Sequence, residues 1–366
     1  MFFVLPLCAV FAANVFAQDK TAAKPDDEIL RVDTRLVDVP LVVTDKNGKP
    51  LLNLKQSNFV VYEDGKRQEI SDFAATGAPF EVALLLDTSG SARLDLDLIK
   101  RAAENFIASL RAGDKVSIVA FTSRVQNNKT VAASEVLTGL TDDRNKLKNA
   151  LARVKTSNST PYYDALETIA KRVFNEKPAD EFRGRRALVA LTDGVDSSSV
   201  SGFADARADF EQKGIVSYFI KVDTREFFEE NLLGDCEATM RFSQGQIRRY
   251  YRSFNPKSNV EKISDFCKIG DFERLAISKN LYELADAEMQ NLAKTSGGRV
   301  FPVADLSEAR AAFGSVAREI GTKYSLGYYS SNERRDGTRR KIRVELKGVP
   351  AGAQIRAREG YTAPTN

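Results

Sequence analysis

Apolar runs and amphipathic segments alternate through the middle of the chain. Stretches rich in apolar residues, typical of buried strands, occur at 82–86, 115–121, 187–192, 215–222 and 298–303. Segments with helical periodicity lie between and after them, at 98–110, 144–154, 163–174, 284–294 and 306–320. Alternating strands and helices are typical of an α/β fold with a doubly wound, mainly parallel sheet. We therefore predict one such Rossmann-like domain over residues 79–321.

The two ends of the chain have a different pattern, with short strands separated by turn residues. Strand signals occur at 34–44, 59–62, 68–70, 324–329, 340–346 and 353–356. Either set alone would leave an apolar face uncovered, and chain termini often lie close together. We therefore predict that residues 30–78 and 322–366 form the two parts of one accessory β-sandwich.

The first residues of the chain have the features of an export signal. Residues 1–17 are uncharged and strongly apolar, and they end in Val15-Phe16-Ala17, with small residues where a signal peptidase requires them. The stretch is too short to span a membrane. We predict a signal peptide over 1–17, a polar linker over 18–29, and a secreted or periplasmic protein without an integral membrane span.

The composition of the chain argues against several classes of function. The net charge of +4 is spread along the chain, which argues against a nucleic-acid partner. The chain has no histidine, the usual base of serine and cysteine hydrolases. It also lacks the glycine-rich motifs that bind nucleotide phosphates. We interpret the protein as a non-enzyme, with a hydrolase as the weaker alternative.

Small oxygen-bearing side chains follow the first apolar run of the α/β region. Asp87, Ser89 and Ser91 lie at its carboxyl end, where open α/β sheets bind their ligands. One carboxylate and two hydroxyls suit Mg²⁺ or a similar hard cation that keeps waters and accepts an outside ligand. An alternative interpretation of Ser91 is a cap at the start of the next helix.

Further oxygen ligands follow in the same α/β region: Thr160 stands before a predicted helix, and Asp193 follows another apolar strand. Together with Asp87-Thr-Ser89-Gly-Ser91, these residues resemble the von Willebrand factor A domain and its metal-ion-dependent adhesion site (MIDAS). The resemblance implies hydroxyl ligation by Ser89, Ser91 and Thr160. It also implies that Asp87 and Asp193 act directly or through water.

The same resemblance implies a role in cell adhesion or another protein–protein interaction. The metal would be Mg²⁺, or else Ca²⁺ or Mn²⁺, and its open position would take an Asp or Glu side chain of a partner protein. The alternative is a structural cell-envelope scaffold in which the metal only stabilises the loops. The stretches 58–65 and 324–329 also resemble accessory regions of secreted proteins of the acidobacterial type.

An insertion is predicted over about 224–282, since this segment is too long for an ordinary connection. It leaves the carboxyl end of a strand, on the same edge as Asp87 and Asp193. Its two cysteines, Cys236 and Cys267, are the ones that remain after signal removal, and in an oxidising compartment we expect them to pair. Two interpretations stay open: a disulfide-held subdomain that shapes or covers the partner site, and a neutral surface elaboration.

Overall fold

The structure is a computed structural model that describes residues 36–89, 95–126, 129–254 and 265–365. The predicted signal peptide and linker, and also Ser91, lie outside the described residues. The described strands are β1 (Leu36–Thr44), β2 (Phe59–Glu63), β3 (Lys66–Gln68), β4 (Ile70–Ala74), β5 (Glu81–Leu86), β6 (Lys115–Gln126), β7 (Lys129–Thr141), β8 (Arg186–Thr192), β9 (Val216–Val222), β10 (Arg299–Val303), β11 (Tyr324–Tyr329), β12 (Arg339–Leu346), β13 (Gln354–Ala357) and β14 (Gly360–Thr362). The helices are α1 (Leu96–Ser109), α2 (Arg144–Ala152), α3 (Tyr162–Thr168), α4 (Phe203–Lys213), α5 (Arg225–Glu230), α6 (Gln244–Phe254), α7 (Asp271–Ser296) and α8 (Leu306–Gly321).

The central sheet has the strand order β10-β9-β8-β5-β6-β7. All its neighbouring strands are parallel except β7, which runs antiparallel to β6. Every residue of β5 is buried, because successive side chains point to opposite faces and both faces are covered. Leu84 packs in a core with α1, α2 and α8, whereas Leu85 packs in a second core with α3, α4 and α7. The predicted doubly wound, mainly parallel fold is confirmed.

Strands from both ends of the chain interleave in two antiparallel sheets, as predicted. Their orders are β13-β1-β11-β4 and β14-β12-β2-β3. Val39 and Leu326 of the first sheet share one apolar core with Val61 and Val344 of the second. The two sheets therefore form the accessory β-sandwich. The domain limits given above stay predictions.

Strand β7 is much longer than its sequence pattern indicates. The sequence pattern indicates only a short strand near Val131, but β7 covers Lys129–Thr141 and pairs with β6 along its length. Many of its side chains are polar or small, and its register with β6 shifts near Ile118. The regular alternation that marks a half-buried strand is therefore weak here.

Helix α7 begins at Asp271, inside the predicted insertion and well before the expected start at residue 284. Its first half packs on the insertion through Ile277 and Leu281. Its second half packs on the central sheet through Met289 and Leu292. The helix therefore changes packing partners along its length, and a single apolar face does not mark its whole extent.

Lys323 is buried where the α/β domain joins the sandwich. Its ammonium group donates a hydrogen bond of 2.8 Å to the carbonyl of Gly297 and lies 5.6 Å from the centre of the Tyr218 ring. Burial lowers the pKa of Lys323 from 10.5 to about 7, opposed by the charge of Glu319 and assisted by those of Arg356 and Arg185.

Replacing Lys323 with methionine is expected to change how stability depends on pH. Between pH 7 and 10.5 the unfolded wild type keeps the Lys323 proton and the folded wild type releases it, so wild-type stability rises with pH in that window. The variant lacks this contribution. The free energy of unfolding of the variant minus that of wild type should fall by roughly 1 kcal/mol per pH unit. Urea unfolding at pH 7, 8 and 9 measures it, and a constant difference would contradict the prediction.

Candidate functional site

The ends of β5 and β8 bring Asp87 and Asp193 to one edge of the central sheet. The strands are parallel neighbours, with Leu86 opposite Leu191. The backbone N–H of Asp87 donates to the carbonyl of Leu191 at 3.0 Å. Asp193 follows Thr192, the last residue of β8. The strand register thus places both carboxyl groups at the same edge, as the sequence predicts.

Asp87 is buried and held by neutral donors. One carboxylate oxygen accepts the N–H of Ser89 at 3.0 Å, and the other accepts the hydroxyl of Thr192 at 2.7 Å. Burial raises the pKa of Asp87, and the hydrogen bonds from Ser89 and Thr192 oppose that rise. Asp87 forms no ion pair with any described residue. A cation at this edge would supply the missing compensation.

Asp193 is held by its own loop and by the residues that enter the insertion. Its carboxylate accepts the N–H of Val195 at 2.9 Å and the hydroxyl of Thr224 at 2.5 Å. The hydroxyl groups of Thr224 and Tyr282 are 2.9 Å apart, within hydrogen-bond distance. The carboxylate is therefore fixed in orientation between β8 and the start of the insertion.

Thr160 is held beside this edge by a pair of hydrogen bonds to Ser197. The N–H of Thr160 donates to the Ser197 hydroxyl at 2.8 Å, and the Thr160 carbonyl accepts the Ser197 N–H at 2.9 Å. Neither bond uses the Thr160 hydroxyl. The loop before α3 is thereby joined to the loop after β8, which brings Thr160 close to Asp193 in space.

Ser89, Thr160 and Asp193 line one cleft of about 320 Å³. Asp87 lines a neighbouring cleft of about 410 Å³, and Asp193 borders both. The structure therefore brings together the described members of the predicted metal set. Ser91 lies outside the described residues, but α1 is capped by the Asp95 side chain, which accepts the Leu98 N–H. The alternative interpretation of Ser91 as a helix cap concerns a residue outside the described ranges and stays an interpretation.

The donor set fits a hard cation. Among the described residues, no group of three or more His, Cys, Asp or Glu side chains is arranged to hold a metal ion. Any cation at this edge would therefore depend on serine and threonine hydroxyls, the two aspartates and water. Hydroxyl and carboxylate oxygens with retained water are the ligands that Mg²⁺ accepts in proteins.

Asp196 has a structural role that its sequence did not predict. The polar sequence at 196–199 is typical of a flexible loop, but Asp196 is buried and accepts the N–H of Tyr162 at 3.0 Å. It also forms an ion pair of 2.9 Å with Arg249, whose guanidinium lies 4.7 Å from the centre of the Tyr163 ring. Burial raises the pKa of Asp196, and its hydrogen bond from Ser199 and its pair with Arg249 oppose the rise. The loop thus joins α3 to helix α6 of the insertion.

The insertion forms a wall of the cleft that holds Ser89 and Thr160. The insertion residues that line it are Phe228, Met240, Arg241, Phe242, Ser243, Gln246, Ser278, Leu281 and Tyr282. They rest on a separate small core that includes Leu232, Ile247 and Phe266. The predicted Cys236–Cys267 disulfide is present, with the two Cα atoms 5.3 Å apart. The insertion therefore lies directly beside the candidate site.

A doubly wound sheet whose strand ends carry hydroxyl and carboxylate groups defines a class of ligand-binding α/β domains. Residues 82–195 match the sequence model of the von Willebrand factor type A domain. The chain contains such a domain, a kind that generally mediates protein–protein interaction. The acidobacterial subgroup stays a prediction. No helix in the described ranges is long and apolar enough to cross a membrane.

Solved structures with similarity to the chain share little sequence with it. Proximal thread matrix protein 1 from the mussel byssus matches at 14% identity and a TM-score of 0.42, over 75% of this chain and 51% of that protein. A von Willebrand factor type A protein from Catenulispora acidiphila matches at 12% identity and a TM-score of 0.43, over 91% and 74%. The chain spans about half the length of the mussel protein. No curated protein matches the sequence.

Proposed function

We propose that this protein binds an acidic side chain of a partner protein through a divalent cation, Mg²⁺ by preference. The observation that carries the proposal is the convergence of Ser89, Thr160 and Asp193 on one cleft, with Asp87 buried immediately behind. The cation would supply a coordination position for the partner carboxylate. Ser91, which follows Ser89 by two residues, belongs to the proposed ligand set on the sequence motif alone.

Each described residue has a distinct part in this proposal. The hydroxyls of Ser89 and Thr160 would contact the cation, and the backbone bonds of Thr160 to Ser197 fix where its hydroxyl lies. The carboxylates of Asp87 and Asp193 would balance its charge and orient its waters. Both carboxylates already accept backbone N–H and hydroxyl donors, which set their orientation before a cation binds.

The proposed place of action is outside the cytoplasm. The Cys236–Cys267 bond supports this, since structural disulfides persist mainly in oxidising compartments. The apolar first 17 residues agree with export. We therefore propose a secreted or periplasmic adhesion or interaction module without catalytic activity.

A structural scaffold is the second candidate function. Its support is that the donors belong to loops already joined to one another, through Thr160 with Ser197 and through Asp193 with Thr224. A cation there would tie the loops together without any partner. The two functions differ in whether the bound cation retains an acidic ligand.

Selection from a library of displayed random peptides separates the two functions. Peptides captured by wild type in Mg²⁺ and released by chelator should carry an acidic residue if the cation binds a partner carboxylate. The Thr160→Val variant should yield about tenfold fewer chelator-released peptides, because it lacks a proposed ligand hydroxyl but keeps the backbone bonds to Ser197.

Thr138→Val is the matched control. Among the described residues, the hydroxyl of Thr138 bonds only the carbonyl of Gly139, and Thr138 does not line the cleft. Its yield should equal that of wild type. A wild-type selection that releases no acidic peptides, in a protein whose Tm nevertheless rises with Mg²⁺, would favour the scaffold.

A further inference from the structure

Arg241 of the insertion lies on the same cleft as Ser89, Thr160 and Asp193. We propose that its guanidinium is a second anion contact of the partner site, so that the recognised partner segment presents two acidic side chains. One would bind the cation and the other would bind Arg241. This inference rests on the proposed function and adds the chemistry of the partner to it.

Arg241 differs in its charge balance from three other arginines of the insertion, Arg225, Arg249 and Arg274. Arg225 pairs with Glu229 at 2.8 Å, and Arg249 pairs with Asp196 at 2.9 Å. Arg274, in the first turn of α7, pairs with Asp271 at 3.2 Å. Arg241 is exposed and has no carboxylate of the described residues within ion-pair distance. Its charge is therefore available to an anion that enters the cleft.

The position of Arg241 is set before any partner binds. Its Nε–H donates to the carbonyl of Cys236 at 2.9 Å, and Cys236 is tied to Cys267 by the disulfide. The preceding residue, Met240, donates its N–H to the carbonyl of Asn231 at 2.7 Å. These contacts restrain both the backbone and the side chain, so little conformational entropy is lost when an anion binds.

The chemistry of the two contacts favours two carboxylates. A divalent cation at an open position takes one or two oxygens of a carboxylate. The Nη groups of Arg241 are left over after the Nε–H bond to Cys236, and a guanidinium holds a carboxylate best through paired, parallel hydrogen bonds. One carboxylate cannot satisfy both demands in full. A partner segment with two acidic residues satisfies both.

Charge reversal of Arg241 tests the inference with the same peptide library. Wild type should enrich chelator-released peptides that carry two acidic residues at a preferred spacing. Arg241→Glu should keep one acidic residue, for the cation, and enrich a basic residue in place of the second. A two-acid peptide chosen on wild type should bind the variant at least about tenfold more weakly, because an attraction becomes a repulsion.

Arg248→Glu is the matched control, because Arg248 is an exposed arginine on α6 that does not line the cleft. It should select the same peptides as wild type. If Arg241→Glu still selects two-acid peptides, the inference is overturned while the proposed function stands. If wild type itself releases no acidic peptides with chelator, the proposed function fails and the inference fails with it. Equal Tm values of the two variants show that both are folded.

Discussion

Replacing Asp87 with asparagine is expected to abolish the stabilisation of the folded protein by Mg²⁺ that the proposed metal site predicts. Asparagine has nearly the same size but no charge, so the folded variant should bind Mg²⁺ far more weakly. In wild type, Mg²⁺ at about 100 times its Kd should raise the free energy of unfolding by about 2.7 kcal/mol. In the variant the rise should be close to zero. Thermal and urea unfolding in Mg²⁺ and in chelator measure both values.

In chelator, without metal, Asp87→Asn should unfold with nearly the same free energy as wild type. Asparagine has one acceptor oxygen, so it cannot accept both the Ser89 N–H and the Thr192 hydroxyl, and one of these hydrogen bonds is lost or reversed. It also removes a buried charge that neutral donors compensate only in part. These effects oppose each other, and in chelator the two proteins should differ by no more than about 1 kcal/mol.

Asp95→Ser is the control for this prediction. Asp95 lines the same cleft as Asp87 and caps α1 through the Leu98 N–H, and serine retains the capping ability. It removes one carboxylate from the cleft without touching the proposed ligands. Its response to Mg²⁺ should match that of wild type. A Mg²⁺ response that Asp87→Asn retains in full would refute the assignment of Asp87 to the metal site.

Replacing Arg185 with methionine will destabilise the protein by roughly 3–5 kcal/mol. Arg185 is 1% exposed and lies where the sandwich meets the α/β domain. Its guanidinium donates to the carbonyls of Ala78, Ala74, Ala75 and Lys323. Methionine fills most of the same space but donates nothing, so several carbonyls lose their partner in a buried place. Urea unfolding at equilibrium gives the loss directly.

Arg183→Met is the matched control for this change. Arg183 stands two residues earlier, and its ion pair with Asp180 joins side chains that are 42% and 85% exposed. Such surface pairs contribute little, so the control should lose less than about 1 kcal/mol. Similar losses in the two variants would show that the hydrogen bonds of Arg185 do not hold the junction together.

Much of the candidate site was predictable because strand ends are marked in the sequence. Asp87 and Asp193 each follow a continuous apolar run, and neighbouring parallel strands end at the same edge of the sheet. Thr160 belongs to a loop without such a marker, and only the resemblance to a known family singled it out. Its hydrogen bonds to Ser197 join two loops that are separate in the sequence, and no local sequence pattern predicts that these loops are in contact.

Most contacts between the insertion and the rest of the chain could not be predicted from the sequence, because they join residues far apart along it. The cysteine count predicted the Cys236–Cys267 bond only together with the predicted signal peptide, which removes the third cysteine and implies an oxidising compartment. The ion pair of Arg249 with Asp196 joins residues 53 positions apart. Arg249 is one of several arginines in α6, and nothing in the sequence distinguishes it from the others as the partner of a buried carboxylate. An acidic residue in a serine-rich loop, such as Asp196 before Ser197, is a weak signal for such an ion pair. If the acid is buried, its charge requires a compensating partner.

The strand order of the β-sandwich determines the path that a stretching force would take through the protein. β1 and β13 are paired, so a pull applied at residues 36 and 365 enters and leaves through the sandwich. The chain leaves the sandwich after β4 and re-enters it at β11, and these strands are paired with Ala74 opposite Ser325. The α/β domain is thus a closed loop outside the path of the force. While the β4–β11 ladder holds, the cleft keeps its geometry under load.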